Sequence, residues 1–276
     1  MAKLDGKSAV ITGGSSGIGR ATAEQLAREG ASVAVAGRKQ AALDEVVGAI
    51  TAQGGKAFGV ALDVRDERDV AGLVDRAVSE FGGLDIIVNN AGVSWPSNIA
   101  DGQVEQWREM LETNVLALLI GCREAARAMR PKGSGHIVNV SSVAARNTGP
   151  SGQVYSATKH AVNAISDGLR QELHDAGIRV TVVMPGAVLT NFGRTMPQAV
   201  LDQAAKALGL DPEAEGVRHG EYLPAEGVER ILRERPGVFL APNDIANAIV
   251  YAAVQPPSVQ VDEVLVRPSV GLTLGG

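Results

Sequence analysis

The stretch that decides the fold is TGGSSGIG, residues 12–19. A short β-rich run, 8–12, precedes it, and a helical pattern follows at 20–29. Glycines let the backbone approach a pyrophosphate closely, and a helix N-terminus offers free N–H groups and a favourable dipole. Because this loop joins a strand to a helix, we predict that it binds a nucleotide, whereas alone it would indicate only a tight turn. Its candidate contacts are Gly13, Ser15, Ser16, Gly17, Ile18 and Gly19.

The second predicted strand, 32–36, ends at Gly37, Arg38 and Lys39. Many dinucleotide-binding folds carry an acidic residue here, which binds the ribose 2′-hydroxyl. An arginine instead pairs with a 2′-phosphate through charge-assisted, bidentate hydrogen bonds. The sequence therefore favours NADP(H), with Lys39 as a further phosphate contact. The alternative is NAD(H), with Arg38 a solvated loop charge.

Two further strand ends are predicted to contact the cofactor. The third strand, 58–62, is followed by an aspartate that either accepts a hydrogen bond from the adenine amine or caps the helix predicted from residue 67. The fourth strand, 86–88, is followed by small and amide residues that permit close cofactor approach. Asn89 has the alternative role of holding backbone groups of neighbouring strands. The candidate contacts are Asp63, Val64, Asn90, Ala91 and Gly92.

The chemistry is predicted to lie between residues 141 and 159. Tyr155 and Lys159 are four residues apart, so a helix places both side chains on one face. A free tyrosine has a pKa of ~10, and a cation one turn away lowers that pKa. Ser142 follows a predicted buried strand, where its hydroxyl can donate to the same carbonyl oxygen. We therefore predict that Tyr155 is a general acid–base acting on a carbonyl.

Composition narrows the possible partners. The 276 residues are 45% hydrophobic, enough for a sizeable core, and the net charge of -5 without a basic block excludes nucleic acid as a main partner. The single Cys122 allows no internal disulfide, and the four histidines show no metal-ligand spacing. No signal peptide and no apolar run of ~20 residues is present, so we expect a cytoplasmic protein without a membrane partner.

Strand and helix patterns alternate along the chain, which indicates an α/β fold with a parallel sheet and helices on both faces. Ligands bind beyond the carboxyl ends of such strands, and every motif above falls at one of them. The alternation of strand and helix patterns stops at residues 191–240, which we predict to form a substrate lid with one helix at 198–208. A helix from residue 242 and a strand at 263–266 follow. We expect one domain spanning 1–276.

Two other residues are candidates for polar or substrate contacts. Asn114 lies within a long helical region, 104–130, where an interior turn usually prefers an apolar residue. Trp95, on a predicted loop, either lines a substrate pocket or covers the core.

As a set, these residues resemble the short-chain dehydrogenase/reductase family, in its single-domain, NADP-preferring branch. The resemblance spans residues 5–270 and implies a Rossmann-like, doubly wound parallel sheet of about seven strands with a nicotinamide cofactor. The matching motifs are Thr12-Gly13-x-x-x-Gly17-Ile18-Gly19, Asn89-Asn90-Ala91-Gly92, Asn114, Ser142, Tyr155-x-x-x-Lys159 and Pro185-Gly186-x-Val188-x-Thr190.

The resemblance also implies residue roles. Tyr155 would be the acid–base, Lys159 would bind the nicotinamide ribose and lower the Tyr155 pKa, and Ser142 would orient the substrate carbonyl. Asn114 would hold a water that links Lys159 to solvent. Val188 and Thr190 would contact the nicotinamide carboxamide, beside Pro185 and Gly186. A homodimer or homotetramer packed through the Asn114 and Tyr155 helices is also implied.

The function predicted from the sequence is an NADP(H)-dependent oxidoreductase that interconverts a small-molecule carbonyl and an alcohol. One alternative is an NAD(H)-dependent alcohol dehydrogenase of the same fold. Another is a regulator that binds NADP(H) without catalysis. A non-catalytic protein has no need of the four predicted catalytic residues together, which favours the enzyme: Asn114, Ser142, Tyr155 and Lys159.

Overall fold

The computed structural model describes residues 2–96, 98–190, 192, 198–207, 211 and 225–270. Within these ranges the chain forms one sheet of seven parallel strands in the order β3-β2-β1-β4-β5-β6-β7. The strand order reverses between β1 and β4, which is where a doubly wound sheet opens a crevice at its carboxyl edge. The predicted fold class is confirmed. The strands are β1 (Ser8–Thr12), β2 (Ser32–Gly37), β3 (Ala57–Ala61), β4 (Ile86–Asn89), β5 (Gly135–Val140), β6 (Ile178–Pro185) and β7 (Glu263–Val266).

Nine α-helices are described, and those between successive strands make the crossovers of the parallel sheet. None of the described helices combines the length and apolar character that crossing a bilayer requires. The helices are α1 (Gly17–Arg28), α2 (Gln40–Thr51), α3 (Glu67–Phe81), α4 (Val104–Leu111), α5 (Ala117–Met129), α6 (Gln153–Glu172), α7 (Gln198–Ala207), α8 (Ala225–Glu234) and α9 (Pro242–Ala253).

The core consists of two apolar layers, one on each face of the sheet. Successive residues of β1 show the alternation, since Val10 belongs to one layer and Ile11 to the other. The Ile11 layer includes apolar residues of α1, α2 and α9, and the Val10 layer includes residues of α3, α5 and α6. Every residue of β1 is buried, as expected for a strand covered by helices on both faces.

Local capping explains where several helices begin and end. The carboxylate of Asp66 accepts hydrogen bonds from the first-turn N–H groups of Arg68 and Asp69, and α3 ends at Gly82 with a φ of 78°. The predicted start of α3 at residue 67 is confirmed. The helix that carries Tyr155 ends at Glu172, because a short 3₁₀ turn and Gly177, with a φ of 66°, terminate it.

Three predictions about helices were wrong. The first helix begins at Gly17, because the end of the glycine loop forms its first turn. The predicted helical region 104–130 is divided by a π-helical turn at Glu112–Leu116. The region 191–240 contains a second helix, α8, which Gly227 and the nearby prolines concealed. The rest of the predicted lid, residues 191, 193–197, 208–210 and 212–224, lies outside the described residues.

Candidate active site

The glycine loop is packed so closely that side chains are excluded. A Cβ on Gly19 would lie 2.2 Å from the carbonyl oxygen of Gly13, and Gly13 itself has a φ of 64°. Asn90 Nδ2 donates to the carbonyl oxygens of Thr12 (3.0 Å) and Gly13 (3.2 Å). The side chain of Asn90, predicted to contact the cofactor, therefore braces the loop that we expect to hold it.

The first turn of α1 suits an anion such as a pyrophosphate. Its N-cap residue, Ser16, makes no capping hydrogen bond through its side chain, and the turn contains no acidic residue. The N–H groups at this helix end thus lack a competing carboxylate, and the helix dipole favours a negative group there. A nucleotide diphosphate fits this arrangement.

Threonine side chains join the loop to the neighbouring strand ends. Thr12 Oγ1 accepts hydrogen bonds from the backbone N–H groups of Asn90 and Ala91, both at 3.1 Å. Thr190, beyond β6, lies against the loop, since a Cβ on Gly17 would be 3.3 Å from Thr190 Cγ2. The predicted contacts at three strand ends are therefore brought together at one edge of the sheet.

The end of β2 places positive groups beside a serine. A Cβ on Gly37 would lie 3.0 Å from Ser15 Oγ, and Arg38 and Lys39 follow on the exposed surface. Neither residue after Gly37 is acidic. The positive charge of Arg38 also extends to Asp63, where it helps to lower the carboxyl pKa.

The carboxylate of Asp63 is held by an arginine two residues later. Arg65 donates from Nε at 3.0 Å and from Nη2 at 2.5 Å, and this pairing is the main cause of the lowered Asp63 pKa. Because Asp66 caps α3, the predicted capping role for Asp63 was wrong. Val64 lines a small cavity of about 10 Å³, together with Thr12 and Ala91.

Asn89 is buried and links elements through its side chain. Its Nδ2 donates to Asn139 Oδ1 at 2.9 Å, and Asn139 Nδ2 donates to Ser166 Oγ at 2.9 Å. Cys122 lies at the same junction, with Asn89 Nδ2 at 3.4 Å from its Sγ. The second role predicted for Asn89, between neighbouring strands, agrees with this contact, although its partner is a side chain of β5 rather than a backbone group.

The three groups predicted to act on a carbonyl do converge. The hydroxyl of Ser142, just after β5, lies close enough to that of Tyr155 on α6 to lower its pKa, and it also accepts from the N–H of Ala144 at 3.1 Å. The Lys159 ammonium lies 5.8 Å from the centre of the Tyr155 ring. It donates to the carbonyl oxygen of Val140 at 2.9 Å. Hydroxyl, phenol and ammonium thus meet at the carboxyl end of β5.

Burial determines the protonation of this group. It raises the pKa of Tyr155 to about 12, against a smaller lowering by the Ser142 hydroxyl, and it lowers the pKa of Lys159 to about 8. Tyr155 as a whole residue is partly exposed, whereas Lys159 is only 4% exposed. The net shift of the Tyr155 pKa is upward rather than downward as predicted, because desolvation of the phenolate is the largest influence on it.

Asn114 occupies the π-helical turn between α4 and α5. Its Oδ1 accepts from the N–H of Val93, and its Nδ2 donates to Val93 O, each at 2.8 Å. The second Nδ2 hydrogen goes to Thr158 Oγ1 at 3.1 Å, and Thr158 in turn donates to the carbonyl oxygen of Tyr155. Both amide N–H groups are thus used within the protein, so they are not available to hold the predicted water.

The segment after β6 lies between β7 and the glycine loop. Gly186 donates from its backbone N–H to Val266 O at 2.7 Å, and Val188 forms an isolated parallel bridge with Leu240. These contacts fix the backbone at Pro185, Gly186, Val188 and Thr190, the residues predicted at the nicotinamide end.

One residue of the site was missed in the sequence. The ring of Phe192 lies 5.8 Å from that of Tyr155, at an interplanar angle of 57°. The available signal was an aromatic residue two positions after Thr190, in a segment predicted only as a lid. Trp95, in contrast, is hydrogen-bonded to α4, since its Nε1 donates to Glu109 Oε2 at 2.7 Å. This contact does not choose between the two roles predicted for Trp95, which stay predictions.

Comparison with known families decides the class of the protein. The family model described as short chain dehydrogenase matches residues 7–200. The chain belongs to the short chain dehydrogenase family. The family assignment made from the motifs is confirmed, and with it the assignment as an oxidoreductase.

Relatives of this dehydrogenase include a fungal and a bacterial protein. It is 37% identical over 265 residues to glycine betaine reductase ATRR of Emericella nidulans, which covers 96% of this chain but only 19% of that protein. It is 35% identical over 268 residues to an uncharacterized oxidoreductase of Staphylococcus aureus, covering 97% of this chain and all of that one.

Solved structures of similar dehydrogenases carry nicotinamide cofactors. A 7α-hydroxysteroid dehydrogenase complexed with NADH and 7-oxo glycochenodeoxycholic acid has a TM-score of 0.80 at 29% identity, over 99% of this chain and 97% of that one. A metagenomic short-chain oxidoreductase in complex with NADP has a TM-score of 0.74 at 28% identity, over 97% of this chain and 100% of that one. The family and these neighbours support a nicotinamide cofactor without choosing between its two forms.

Proposed function

We propose that this short-chain dehydrogenase interconverts a small-molecule carbonyl and an alcohol with NADP(H), using Tyr155 as the general acid–base. The observation that carries the proposal is the convergence of Tyr155, Ser142 and Lys159 at the carboxyl end of β5. The glycine loop, the candidate cofactor site, lies at the same edge of the sheet. When bound there, the nicotinamide supplies or accepts the hydride.

Tyr155 provides the proton in the reducing direction. With a pKa of about 12 it is protonated at neutral pH, so it can donate to a carbonyl oxygen as negative charge develops there. In the oxidising direction the same group has to act as a base, and its high pKa makes alkaline conditions favourable.

Ser142 and Lys159 stabilise the charges that this transfer creates. The Ser142 hydroxyl lies close enough to that of Tyr155 to lower its pKa, so it is placed to donate to the substrate oxygen or to the phenolate. Lys159, with a pKa of about 8, remains protonated at pH 7, and its positive charge favours the phenolate left after proton donation. In a site with little water these interactions are stronger than in solution.

The preference for NADP(H) rests on the end of β2. Ser15 Oγ lies close to Gly37, and the next two residues, Arg38 and Lys39, are exposed and basic rather than acidic. A 2′-phosphate is attracted by these cations, whereas an NAD ribose lacks its usual acidic partner. An alcohol dehydrogenase of Thermococcus sibiricus complexed with 5-hydroxy-NADP, with a TM-score of 0.76 at 28% identity, supports the same cofactor. The second candidate is NAD(H), favoured by the NADH complex of the hydroxysteroid dehydrogenase.

We also infer that the protein is a homo-oligomer that packs through the Asn114 region. Three leucines on the helical segment from α4 to α5 are exposed by 51%, 50% and 42%: Leu111, Leu116 and Leu119. A second copy of the chain would cover this apolar surface. A particle mass in solution of two or four chains is expected, and a monomeric mass at micromolar concentration would contradict the inference.

The experiment that tests the proposed function is consumption of NADPH, with NADH in parallel, against a panel of aldehydes and ketones. We expect turnover with NADPH on at least one chemical class and a kcat/KM with NADPH well above that with NADH. Binding of NADPH without turnover of any aldehyde or ketone would favour the regulator over the enzyme. Turnover that prefers NADH would retain the enzyme and reject the assigned cofactor.

A further inference from the structure

Phe192 contacts the candidate catalytic group from the segment that follows β6. Its ring lies 5.8 Å from that of Tyr155, within the range of favourable tilted aromatic pairs. A Cβ on Gly92 would lie 3.8 Å from Phe192 Cε2 and 3.7 Å from Lys159 Nζ. The aromatic ring is therefore close to both the phenol and the ammonium of the site.

The backbone before this ring is fixed to the rest of the fold. Leu189 donates from its N–H to Leu240 O at 2.9 Å, and Leu240 donates back to Ala187 O at 2.9 Å. The N–H of Phe192 donates to Thr190 Oγ1 at 3.3 Å, and Thr190 packs against the glycine loop. These contacts set the position at which the Phe192 side chain leaves the chain.

Resting on the proposed function, we propose that Phe192 is a specificity-determining residue whose ring forms an apolar wall for the substrate group bonded to the carbonyl carbon. A carbonyl oxygen that reaches the hydroxyls of Tyr155 and Ser142 brings the attached group to within van der Waals range of a ring this close to Tyr155. The ring therefore favours carbonyl compounds with a flat, apolar group, such as an aryl aldehyde, over short aliphatic ones.

The same ring covers Tyr155 on one side. Burial raises the pKa of Tyr155 to about 12, and the ring contributes to that burial. The titratable group beside Tyr155 is Lys159, 5.8 Å from its ring centre, and the hydroxyl that faces the phenol is that of Ser142. Removing the ring lets water approach the phenol and is expected to move its pKa back toward the free value of ~10.

The test compares Phe192→Ala and Phe192→Leu with Phe81→Leu. Phe81 is a matched control, because its ring also pairs with another aromatic, Phe58, at 5.2 Å, on the α3 side of the sheet. The probes are benzaldehyde and butanal with NADPH. We expect Phe192→Ala to reduce kcat/KM about tenfold for benzaldehyde and less than about threefold for butanal. Phe192→Leu should lie between, and Phe81→Leu should match the wild type. Equal losses of kcat/KM for benzaldehyde and butanal would contradict the proposal that the Phe192 ring forms an apolar wall for the substrate.

A second readout needs no turnover. Phenolate absorbance is titrated in the wild type and in Phe192→Ala, and each curve is corrected with the corresponding Tyr155→Phe protein. The pKa of Tyr155 is expected to fall by about one unit or more in Phe192→Ala. Identical titrations of Tyr155 in the wild type and in Phe192→Ala would show that the Phe192 ring does not shield the phenol from water. If the wild type reduces no carbonyl at all, the proposed function fails, and the titration alone then decides whether the ring covers Tyr155.

Discussion

Two clusters of ionisable side chains lie at opposite ends of the same strands, and they differ in how their charges are satisfied. At the amino end, the Asp85 carboxylate accepts from the N–H of Ser8 at 3.0 Å and pairs with the ammonium groups of Lys7 and Lys132. These partners hold its pKa below the usual value even though burial opposes them. At the carboxyl end, burial dominates, and Tyr155 and Lys159 are both shifted toward their neutral forms.

The difference separates a structural cluster from a reactive one. A buried carboxylate that accepts hydrogen bonds from several donors is stable in its charged form and carries no proton that it could transfer. The Tyr155 phenol, which faces a hydroxyl and an aromatic ring and has a cation 5.8 Å from its ring centre, retains a proton that it can give to another oxygen. Strongly shifted pKa values in a cleft at the carboxyl ends of strands are typical of functional sites. We therefore expect substitutions at the two ends to separate activity from stability.

Among the substitutions that compare the two clusters, the largest effect is expected for Lys159→Met. Loss of the cation should reduce kcat/KM by about 10²–10³-fold, as for loss of one group that stabilises transition-state charge. The free energy of unfolding should not fall, because an apolar chain of similar length replaces a buried ammonium. Steady-state kinetics and urea unfolding measure the two quantities. A loss of stability with normal kcat/KM would place Lys159 in the structural class instead.

Asp85→Ala should show the opposite pattern. It leaves the buried N–H of Ser8 without its carboxylate acceptor, which costs about 2–3 kcal/mol of unfolding free energy, whereas the Ser8 hydroxyl keeps the carbonyl oxygen of Gly83 as its acceptor. Urea unfolding gives the loss, and Asp85→Asn, which keeps an acceptor, should lose less. The kcat/KM should stay within about twofold of the wild type, because the proposed chemistry takes place at the other end of the strands. A much larger loss of kcat/KM would show that Asp85 contributes to activity, and the two clusters would then not separate activity from stability.

His136, at the amino end of β5, should make the fold sensitive to acid. Its Nε2 lies 2.8 Å from Thr181 Oγ1, which itself donates to Val261 O, so Nε2 carries the proton. Burial lowers its pKa to about 3, so the unfolded chain binds the proton first as the pH falls below ~6.5. Its contribution to stability is complete above that pH and is lost as the pH decreases toward 3.

Urea unfolding at several pH values tests this contribution. Between pH 6.5 and 4.5, protonation of His136 in the unfolded chain should lower the free energy of unfolding of the wild type by roughly 2 kcal/mol. His136→Gln retains a donor for Thr181 without a titrating ring, and His174→Gln, on an exposed turn, is the control. The variation of stability with pH should be reduced by the first substitution and unchanged by the second. Equal variation in all three proteins would contradict the assignment.

The smallest effect is expected for Arg38→Ala. Removing one exposed cation should raise the KM for NADPH about tenfold and leave that for NADH within about twofold. Initial rates with each cofactor measure the ratio, and Arg28→Ala, a change of equal charge at the C-terminal end of α1, is the control. Equal changes in the KM for NADPH and the KM for NADH would show that Arg38 does not select the cofactor, and would favour NAD(H).

Local patterns made most of the fold predictable. The five strands whose bounds were predicted, at 8–12, 32–36, 58–62, 86–88 and 263–266, agree with the structure to within one residue, and the start of α3 was placed correctly, because apolar runs and capping signals are short-range. The π-helical turn was not predictable, since the contacts of Asn114 with Val93 and Thr158 hold it and neither partner is near in sequence.

The site was predictable in its members but less so in its electrostatics. The spacing of Tyr155 and Lys159 indicates a shared helix face, whereas the depth of burial depends on residues from distant segments, including Phe192. For the same reason the direction of the Tyr155 pKa shift was predicted wrongly. Asn90 was predicted from its position as a cofactor contact, while its side chain bonds to the loop backbone.

The acid–base role of Tyr155 is tested by the rate of NADPH-dependent carbonyl reduction by Tyr155→Phe beside Tyr251→Phe. Tyr251 lies on α9 and is 57% exposed, so its substitution removes an equivalent hydroxyl outside the site. We expect Tyr155→Phe to lose about 10²–10⁴-fold in kcat while its affinity for NADPH stays within about twofold, and Tyr251→Phe to behave as the wild type. Near-normal turnover by Tyr155→Phe would rule out Tyr155 as the general acid–base.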